Sequence, residues 1–528
     1  MDEESLFDAS GAITRKDFMR LSAAGAAALA VESLSGCASF IPKNVPKIDY
    51  TGDVLLKNCN AIDVAEGRVM PNASILVRNG LIHSLDGSDI GPAATVFDMA
   101  GKYAIPGLID AHNHSTVTSC FGIDTADLSS HLRQQKRNYS DSIEAGITTF
   151  RDMGAFPGML HGMIKDIAAG RLNGPRVQFC NSILNLSGSH PEVSPSDAHP
   201  LAPLVALFTG MVMTNFKDMK ELRSVIAKNS EGAHFIKLTM DNRSLFAKKP
   251  DEIPVYTDEM LACIFDFAQR KSLPVACHVN RKFGFDRAVR YPVSSLEHVV
   301  SDALLTDSEA ELLVKKNISV VPTMIIGLNY MMEEAYDRVP ERFRSDLIMG
   351  ELGIRREYMR REATRYVEPV IHRKNLDAIA NYRTLGYDNL WKHKLFLINP
   401  DVFFNMVMNG TKNIQKMRAA GVNLGLGIDA GMPFSYFGSQ HRELEFLARA
   451  GFRNDEILRI ATSNGAKILG MQDKIGTLEK GRCADIVLLD KNPLSDVTAY
   501  RDPRVVMKAG AIVFSRSIIQ PEKPASAS

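Results

Sequence analysis

The chain has 528 residues, of which 45% are hydrophobic and 23% are charged, a composition typical of a globular protein with two to four domain-sized units. Its 62 Lys and Arg residues nearly balance its 61 Asp and Glu residues, which excludes the strongly basic surface of a nucleic-acid-binding protein. The 7 cysteines include no Cys-x-x-Cys pair, so neither a zinc knuckle nor a disulfide framework is predicted.

The first 37 residues have the order of an export signal. A basic segment, Thr14–Arg20, precedes a short apolar run, Leu21–Val31, and then small residues that end at Cys37. This arrangement resembles a twin-arginine signal with Lys16 in the second arginine position, joined to a lipobox whose Cys37 would be acylated. It predicts an exported protein on the periplasmic side of the cell envelope, with a lipid anchor to the membrane. An amphipathic helix in a cytoplasmic protein is the alternative.

Short alternating runs of high β-propensity occupy residues 48–104 and again residues 471–516. Between two of the first runs lies Asn79-Gly80, a strong signal for a tight hairpin turn. A few strands are not stable alone, so we predict one small β-sandwich domain built from both chain ends. A polar tail follows at residues 517–528.

Between these regions, residues 105–470 alternate apolar strand-like runs with helical patterns. Eight runs are predicted as strands: Ile105–His112, Gly146–Asp152, Arg176–Cys180, Phe235–Leu238, Pro274–His278, Ser294–His298, Ile318–Pro322 and Val422–Asp429. Eight β/α units predict a closed (β/α)8 TIM-like barrel of the α/β class, with its active site at the carboxyl ends of the strands. A helical insertion at about residues 328–397 would emerge on the same face, where it could act as a lid.

Residue types that bind metals stand at or near these predicted strand ends. His112 and His114 flank one residue of the first strand, so their side chains share a face and could chelate one ion. The later candidates are Lys237, His278, His298 and Asp429. Imidazole and carboxylate groups suit zinc, nickel, iron or manganese. Lys237 is the exception, because a cation repels an ammonium group, although carbamylation by carbon dioxide would convert this lysine to an anionic carboxylate.

These residues lie in segments that resemble the amidohydrolase superfamily, in its binuclear-metal, carboxylated-lysine branch. The matching segments are Pro106–His114, Gly146–Gly154, Ile236–Leu238, Leu296–His298, Gly427–Ala430 and Gly476–Val487. The similarity extends over roughly Tyr50–Phe514 and is interrupted by the helical insertion. It implies a barrel enzyme that hydrolyses a carbon–nitrogen bond with two divalent ions, of which zinc is the expected one.

The resemblance also implies a role for each strand-end residue. One ion would be held by His112, His114 and Asp429, the other by His278 and His298, with carboxylated Lys237 bridging the two. Asp429 would in addition be catalytic, because it would take a proton from the attacking hydroxide and deliver it to the leaving nitrogen.

Two further positions bear on the substrate. The chain is most similar to the branch with Xaa-Pro dipeptidase-like and imidazolonepropionase-like hydrolases, which often carry Gly-Gly-His-Gly where this chain has Asn185–Pro191. In that segment only His190 is retained, and Asn280 stands where many relatives carry a second histidine. We predict that His190 and Asn280 contact substrate, with polar loop residues as the alternative interpretation.

The predicted function is metal-dependent hydrolysis of a carbon–nitrogen bond in an amide, a dipeptide or an N-acyl amino acid. A cyclic-amide hydrolase, a mononuclear deaminase with uncarboxylated Lys237, and a lactonase or phosphotriesterase stay open as alternatives. A lipid-anchored binding protein that keeps the metal site without turnover is a further one. The expected partner is a small molecule and not nucleic acid, and the sequence is compatible with a homo-oligomer.

Overall fold

Two kinds of β-structure, one mixed and one parallel, account for the strands of the protein. The computed structural model describes residues 52–92, 94–120, 128–191, 212–243, 252–331, 339–385, 400–517 and 519–521. The strands are β1 Val54–Asp63, β2 Arg68–Arg78, β3 Leu81–Ser84, β4 Thr95–Asp98, β5 Tyr103–Pro106, β6 Leu108–Asn113, β7 Ile147–Asp152, β8 Arg176–Phe179, β9 Ile183–Leu186, β10 Met213–Phe216, β11 Ile236–Thr239, β12 Val275–His278, β13 Ser295–Glu297, β14 Ser319–Val321, β15 Ile486–Leu489, β16 Val505–Lys508 and β17 Ala511–Ser515.

The helices follow or separate the parallel strands. They are α1 Leu128–Glu144, α2 Pro157–Ala168, α3 Met219–Asn229, α4 Asp258–Arg270, α5 Lys282–Ala288, α6 Asp307–Lys315, α7 Met324–Tyr330, α8 Asp346–Glu357, α9 Pro369–Leu385, α10 Pro400–Ala420, α11 His441–Arg449, α12 Asn454–Ala461 and α13 Ser463–Ile468. Short 3-10 turns lie at Glu341–Phe343, Ala363–Arg365 and Val497–Arg501, and a π-helical turn at Tyr358–Glu362. None of these described helices has the length and apolar character needed to cross a bilayer.

The mixed sheet draws its strands from both chain regions predicted to build the small domain. Its order is β17-β16-β15-β5-β1-β2-β3, with β4 paired to β1. The β2–β3 hairpin turns at Asn79 and Gly80, whose φ angles of 52° and 77° are the positive values that this turn requires. The predicted hairpin is therefore confirmed.

Strand β15 shows how this sheet is joined to the rest of the protein. Ile486 and Leu488 pack in a core within the mixed sheet, whereas Val487 and Leu489 pack in the main core. Because side chains alternate across a strand, this one strand contributes to both cores. The two regions are thus held together by buried apolar surface.

The parallel strands form three groups, β6-β7-β8, β9-β10 and β11-β12-β13-β14. The fold is therefore of the mixed α/β class, as predicted. Ile105–His112, predicted as one strand, is divided at Gly107 into β5 and β6. A Cβ atom at Gly107 would lie 2.0 Å from the Thr148 hydroxyl oxygen, so the close approach requires glycine.

The eighth predicted strand, Val422–Asp429, is wrong as a regular strand. Its residues form isolated parallel bridges, at Leu424 with β14 and at Ala430 with β6. The φ angle of +53° at Asp429 breaks the extended conformation that a continuous ladder needs.

Several predicted segments lie partly or wholly outside the described residues. These are the export segment with Cys37, residues 48–51 of the small domain, most of the polar tail, and residues 332–338 and 386–397 of the helical insertion. Export and acylation therefore stay predictions. In its described part the insertion is helical, with α7, α8 and α9 separated by short turns.

Candidate metal centre

His112 and His114 extend from the carboxyl end of β6 with their Nε2 atoms turned toward the same carboxylate. The Nε2 atoms lie 3.4 Å and 3.3 Å from Asp429 Oδ1. His114 Nδ1 is 2.8 Å from the carbonyl oxygen of Gly154 and must donate to it, because a carbonyl only accepts. His112 Nδ1 donates to Glu297 Oε2 at 2.8 Å. With the proton on Nδ1, the neutral form of each ring presents at Nε2 the lone pair that a metal needs.

His278 and His298 lie at the ends of β12 and β13. A hydrogen bond of 2.6 Å joins His298 Nδ1 to the Thr323 hydroxyl, which leaves Nε2 of that ring for an ion. His278 Nε2 lies 3.4 Å from Asp241 Oδ2 and has no hydrogen-bond partner among the described residues. Burial lowers the pKa of both histidines, so the imidazoles are neutral, the form that binds metals.

The four histidines, which we call the histidine cluster, converge on one volume. Ring centroids of His112 and His298 are 4.7 Å apart, and those of His278 and His298 are 4.5 Å apart. One ligand atom from each of His112, His298 and Asp429 lies within 4.8 Å of the others. Imidazoles and a carboxylate at this spacing can hold a divalent ion.

Two of the candidate ligands have strained backbones. The φ angles are +72° at His298 and +53° at Asp429, a region that residues other than glycine seldom adopt. Thr323, which supports His298, also has a positive φ of 48°. Such strain costs about 1–3 kcal/mol per residue and persists where surrounding contacts fix the conformation, often at functional sites.

Lys237 lies on β11 and is only 3% exposed. Its Nζ atom has no hydrogen-bond partner among the residues that the structure describes. Burial lowers the pKa of this lysine, while the negative charges of Glu297 and Asp429 oppose the shift. A buried amine without a partner is costly, so this side chain requires either a chemical change or a ligand.

Glu297 joins the histidine cluster to a buried cation. Its Oε1 accepts hydrogen bonds from Arg151 Nη2 at 2.7 Å and from the Ser295 hydroxyl at 2.6 Å, while Oε2 accepts from His112. Burial by itself would raise the pKa of Glu297, but the charge of Arg151 and the bond from His112 lower it to about 2. Glu297 therefore carries a negative charge that orients His112.

We expect Glu297→Gln to destabilise the metal-free protein at neutral pH and to leave it unaffected near pH 2. Because the folded pKa of about 2 is below the ordinary glutamate value of 4.5, ionised Glu297 stabilises the fold above pH 4.5. This stabilisation, up to about 3 kcal/mol, is lost as the pH falls through 2. Urea denaturation at several pH values should show the two stability curves converging in acid.

Glu443→Gln is the matched control, because Glu443 is also fully buried but burial raises its pKa to about 8. This carboxyl is protonated in the folded protein throughout the acid range, and in the unfolded chain it ionises only near pH 4.5, so the variant's curve should stay parallel to that of the native protein between pH 2 and 4. A Glu297→Gln curve that also stays parallel would contradict the assigned role of Glu297.

The two predicted substrate contacts lie on one side of the cluster. The His190 ring is 4.4 Å from that of His278, and burial lowers its pKa. The Asn280 side-chain oxygen accepts a hydrogen bond from Ser301 at 2.9 Å, and its backbone N–H donates to Asp241. Both residues are buried, His190 against His278, while the contacts of Asn280 with Asp241 and Ser301 connect two loops.

Sequence reasoning missed several supporting residues. Arg151 and Glu297 lie within two of the matching segments, but the sequence alone assigns them no role. Charged residues within apolar strands are the signal that could have predicted their buried ion pair. Thr323 and Asp241 gave no such signal, because each contacts a histidine that is distant in the chain.

Comparison with known proteins agrees with this geometry of parallel strands and a strand-end metal centre. The model of the amidohydrolase family matches residues 103–513. An ochratoxinase from Aspergillus niger is 21% identical over 461 residues, which cover 84% of this chain and 82% of that protein.

Two solved structures have a similar fold. A prolidase complexed with N-methylphosphonate-L-proline is 21% identical, with a TM-score of 0.65 over 88% of this chain and 100% of that one. The crystal structure of A. niger ochratoxinase is 19% identical, with a TM-score of 0.62 over 89% of this chain and 97% of that one.

The fold and the site thus define a hydrolase class whose chemistry lies at the carboxyl ends of parallel strands. The chain belongs to the amidohydrolase family, and it is an enzyme that hydrolyses carbon–nitrogen bonds. Both conclusions confirm the predictions made from its sequence.

Proposed function

We propose that this enzyme hydrolyses the amide bond of a dipeptide or an N-acyl amino acid with the help of two divalent ions, zinc being the expected one. The observation that carries the proposal is the convergence of the histidine cluster, Asp429 and Lys237 at one set of strand ends. In the rings of His112, His114 and His298, Nδ1 faces a supporting group and Nε2 is left for an ion, while His278 Nε2 has no hydrogen-bond partner among the described residues.

The side chains fit a binuclear centre. His112, His114 and Asp429 would hold one ion, and His278 and His298 the other. Lys237, carboxylated on Nζ, would bridge the two ions. The buried and unpartnered Nζ atom supports this assignment, since carboxylation converts the lowered-pKa amine into an anion suited to two cations.

When bound, the ions would polarise the substrate carbonyl and lower the pKa of water. The chain itself supplies the proton transfer. Asp429 Oδ1 faces the Nε2 atoms of His112 and His114 at 3.4 Å and 3.3 Å, and a cation bound between these groups would keep the carboxylate ionised. Asp429 is therefore available as a base that accepts the water proton and passes it to the leaving nitrogen.

The substrate class is supported by the relatives. Two of the similar proteins are a prolidase and an ochratoxinase, and the prolidase is complexed with a phosphonate of proline. For this chain we infer a substrate in which an acyl group is attached to the nitrogen of an amino acid. His190 and Asn280, buried beside His278, are the proposed substrate contacts.

We further propose that the parallel strands close into a (β/α)8 barrel. The segment 423–430 hydrogen-bonds to β14 through Gly425 N and to β6 through Leu426 O, which joins the last strand to the first. His234 N, just before β11, donates to the carbonyl oxygen of Phe179 in β8. This bond connects the group β6-β7-β8 to the group β11-β12-β13-β14. Closure would bring all the strand ends around one cavity.

The small domain is proposed to be a sandwich. Strand β1 pairs with β4 in its first half and with β5 in its second half, with register shifts between Leu56 and Ala61. Such irregularities bend a sheet. The core formed by apolar residues of β1, β2, β15 and β16 supports two layers facing each other.

The test is metal analysis combined with an activity screen on the same purified sample. We expect about two ions per chain and hydrolysis of at least one member of a panel of dipeptides, including alanyl-proline, and N-acyl amino acids, including N-benzoyl-phenylalanine. Dialysis against a chelator should abolish the activity, and added zinc should restore it. Cyclic amides, aminopurines, lactones and a phosphotriester complete the panel, and exclusive activity on any of them would overturn the proposal.

A further inference from the structure

Helix α7 carries a tyrosine to the Asp429 side of the centre. The helix starts directly after β14 and ends at Tyr330, which is 4% exposed. The Tyr330 ring stacks on Phe403, with centroids 4.9 Å apart, and meets the edge of Phe434 at 6.0 Å. Phe434 belongs to the loop that follows Asp429, so Tyr330 packs against the loop next to this candidate ligand.

Hydrogen bonds fix α7 at both ends. The backbone N–H groups of Met324 and Ile325 donate to the two carboxyl oxygens of Glu443 at 2.9 Å and 2.7 Å. At the other end, Asn329 precedes Tyr330. Arg355 Nε donates to the Asn329 carbonyl at 3.0 Å, and Arg442 Nη1 donates to its side-chain oxygen at 2.7 Å. The position of the Tyr330 ring is therefore set by buried polar contacts as well as by packing.

The Tyr330 hydroxyl makes no hydrogen bond within the part of the chain that the structure describes, whereas the hydroxyl of nearby Tyr436 accepts one from Asn375 at 2.8 Å. Burial raises the pKa of Tyr330, and the negative charge of Asp429 raises it further. The hydroxyl therefore keeps its proton and is able to donate a hydrogen bond, and its ring lies against Phe434 of the loop that follows Asp429.

We propose that Tyr330 is a further catalytic residue, whose hydroxyl donates a hydrogen bond to the carbonyl oxygen of the scissile amide. This inference rests on the proposed amide hydrolysis. When water adds to the carbonyl carbon, the carbon–oxygen double bond becomes single and its oxygen gains negative charge, which a fixed donor stabilises. The double bond re-forms as the carbon–nitrogen bond breaks, and Tyr330 keeps its proton throughout.

The test compares Tyr330→Phe with the native holoenzyme on whichever of alanyl-proline and N-benzoyl-phenylalanine the native enzyme hydrolyses faster. Phenylalanine keeps the ring packing and removes only the donor. We expect kcat to fall about 100-fold, because a donor aimed at the developing oxyanion acts mainly in the transition state. KM and metal content should change little. The phosphinate analogue of that substrate, a tetrahedral mimic, should bind more weakly by a similar factor, whereas binding of the amino acid product should be unchanged.

Tyr500→Phe is the matched control. Tyr500 is 2% exposed, and its hydroxyl has no hydrogen-bond partner among the described residues, but burial alone raises its pKa and no charged group contributes. This variant should keep native kcat. A Tyr330→Phe enzyme within threefold of native kcat, or one altered only in KM, would overturn the role of Tyr330. A native enzyme that binds two ions but hydrolyses no amide in the panel would instead overturn the proposed function.

Discussion

Replacing Lys237 by Met is expected to abolish hydrolysis and at the same time to stabilise the metal-free protein. Activity should fall at least about a thousandfold, because the loss of one residue from a group that acts as a unit removes most of the group's contribution to catalysis. Bound metal should fall below two ions per chain. The free energy of unfolding of the apoprotein should rise by about 1–3 kcal/mol, because the variant buries a thioether in place of an amine without a partner.

The stability of the native apoprotein should rise with pH because of Lys237. Burial lowers the folded-state pKa of Lys237, so the native apoprotein is penalised while the unfolded lysine is protonated. That penalty fades as the pH rises toward the value of a free lysine, and native stability should increase accordingly. The Lys237→Met apoprotein should lack this increase. Urea denaturation at neutral and alkaline pH, with metal analysis and activity on the same samples, measures all three effects.

Lys508→Met is the control for the buried lysine. Burial also lowers the pKa of Lys508, but its amine donates to the carbonyl oxygen of Gly174. Its replacement should reduce stability and leave metal content and kcat near native values. If Lys237→Met retained both ions and full activity, a bridging role for Lys237 would be ruled out.

The second large effect is expected for Asp429→Asn. The amide keeps an oxygen near His112 and His114 but cannot accept a proton from water, so kcat should fall by a factor of about 100 to 10,000. Affinity for one of the two ions should also decrease, since a neutral oxygen replaces a carboxylate. Titration of the apoprotein with zinc, followed by steady-state kinetics at saturating metal, separates these two contributions.

Asp485→Asn provides a comparison in which a buried carboxylate is lost away from the centre. Asp485 pairs with Arg176 at 2.7 Å within the contact between the mixed sheet and β8. This variant should lose stability without losing kcat at saturating metal. Native kcat in the Asp429→Asn enzyme would show that another group moves the proton.

The positions of the candidate ligands at strand ends could be predicted because they depend on local patterns. Two histidines one residue apart share a face of any strand, and apolar runs that end in His278 or His298 place these side chains at a strand terminus. Family resemblance then supplied the role of Lys237, which no periodicity would indicate.

The supporting residues could not be predicted, since they arise from contacts between distant segments. Glu443 binds the start of α7 from more than one hundred residues away, and Thr323 reaches His298 only because its own backbone is left-handed. Short elements were missed for a related reason. Strand β4 has only four residues, too few for their own sequence pattern to predict a strand. Its extended conformation depends on pairing with β1.

Gly107, at the junction of β5 and β6, has a consequence for biosynthesis. Its backbone N–H donates to the carbonyl oxygen of Asp485 at 2.8 Å, and Pro106 pairs with Ile486 in β15. The strand that carries His112 is thus anchored by residues that the ribosome adds more than three hundred positions later. A nascent chain that lacks β15 would hold His112 without this anchor, so we expect the His112 site to form only after β15 has been synthesised.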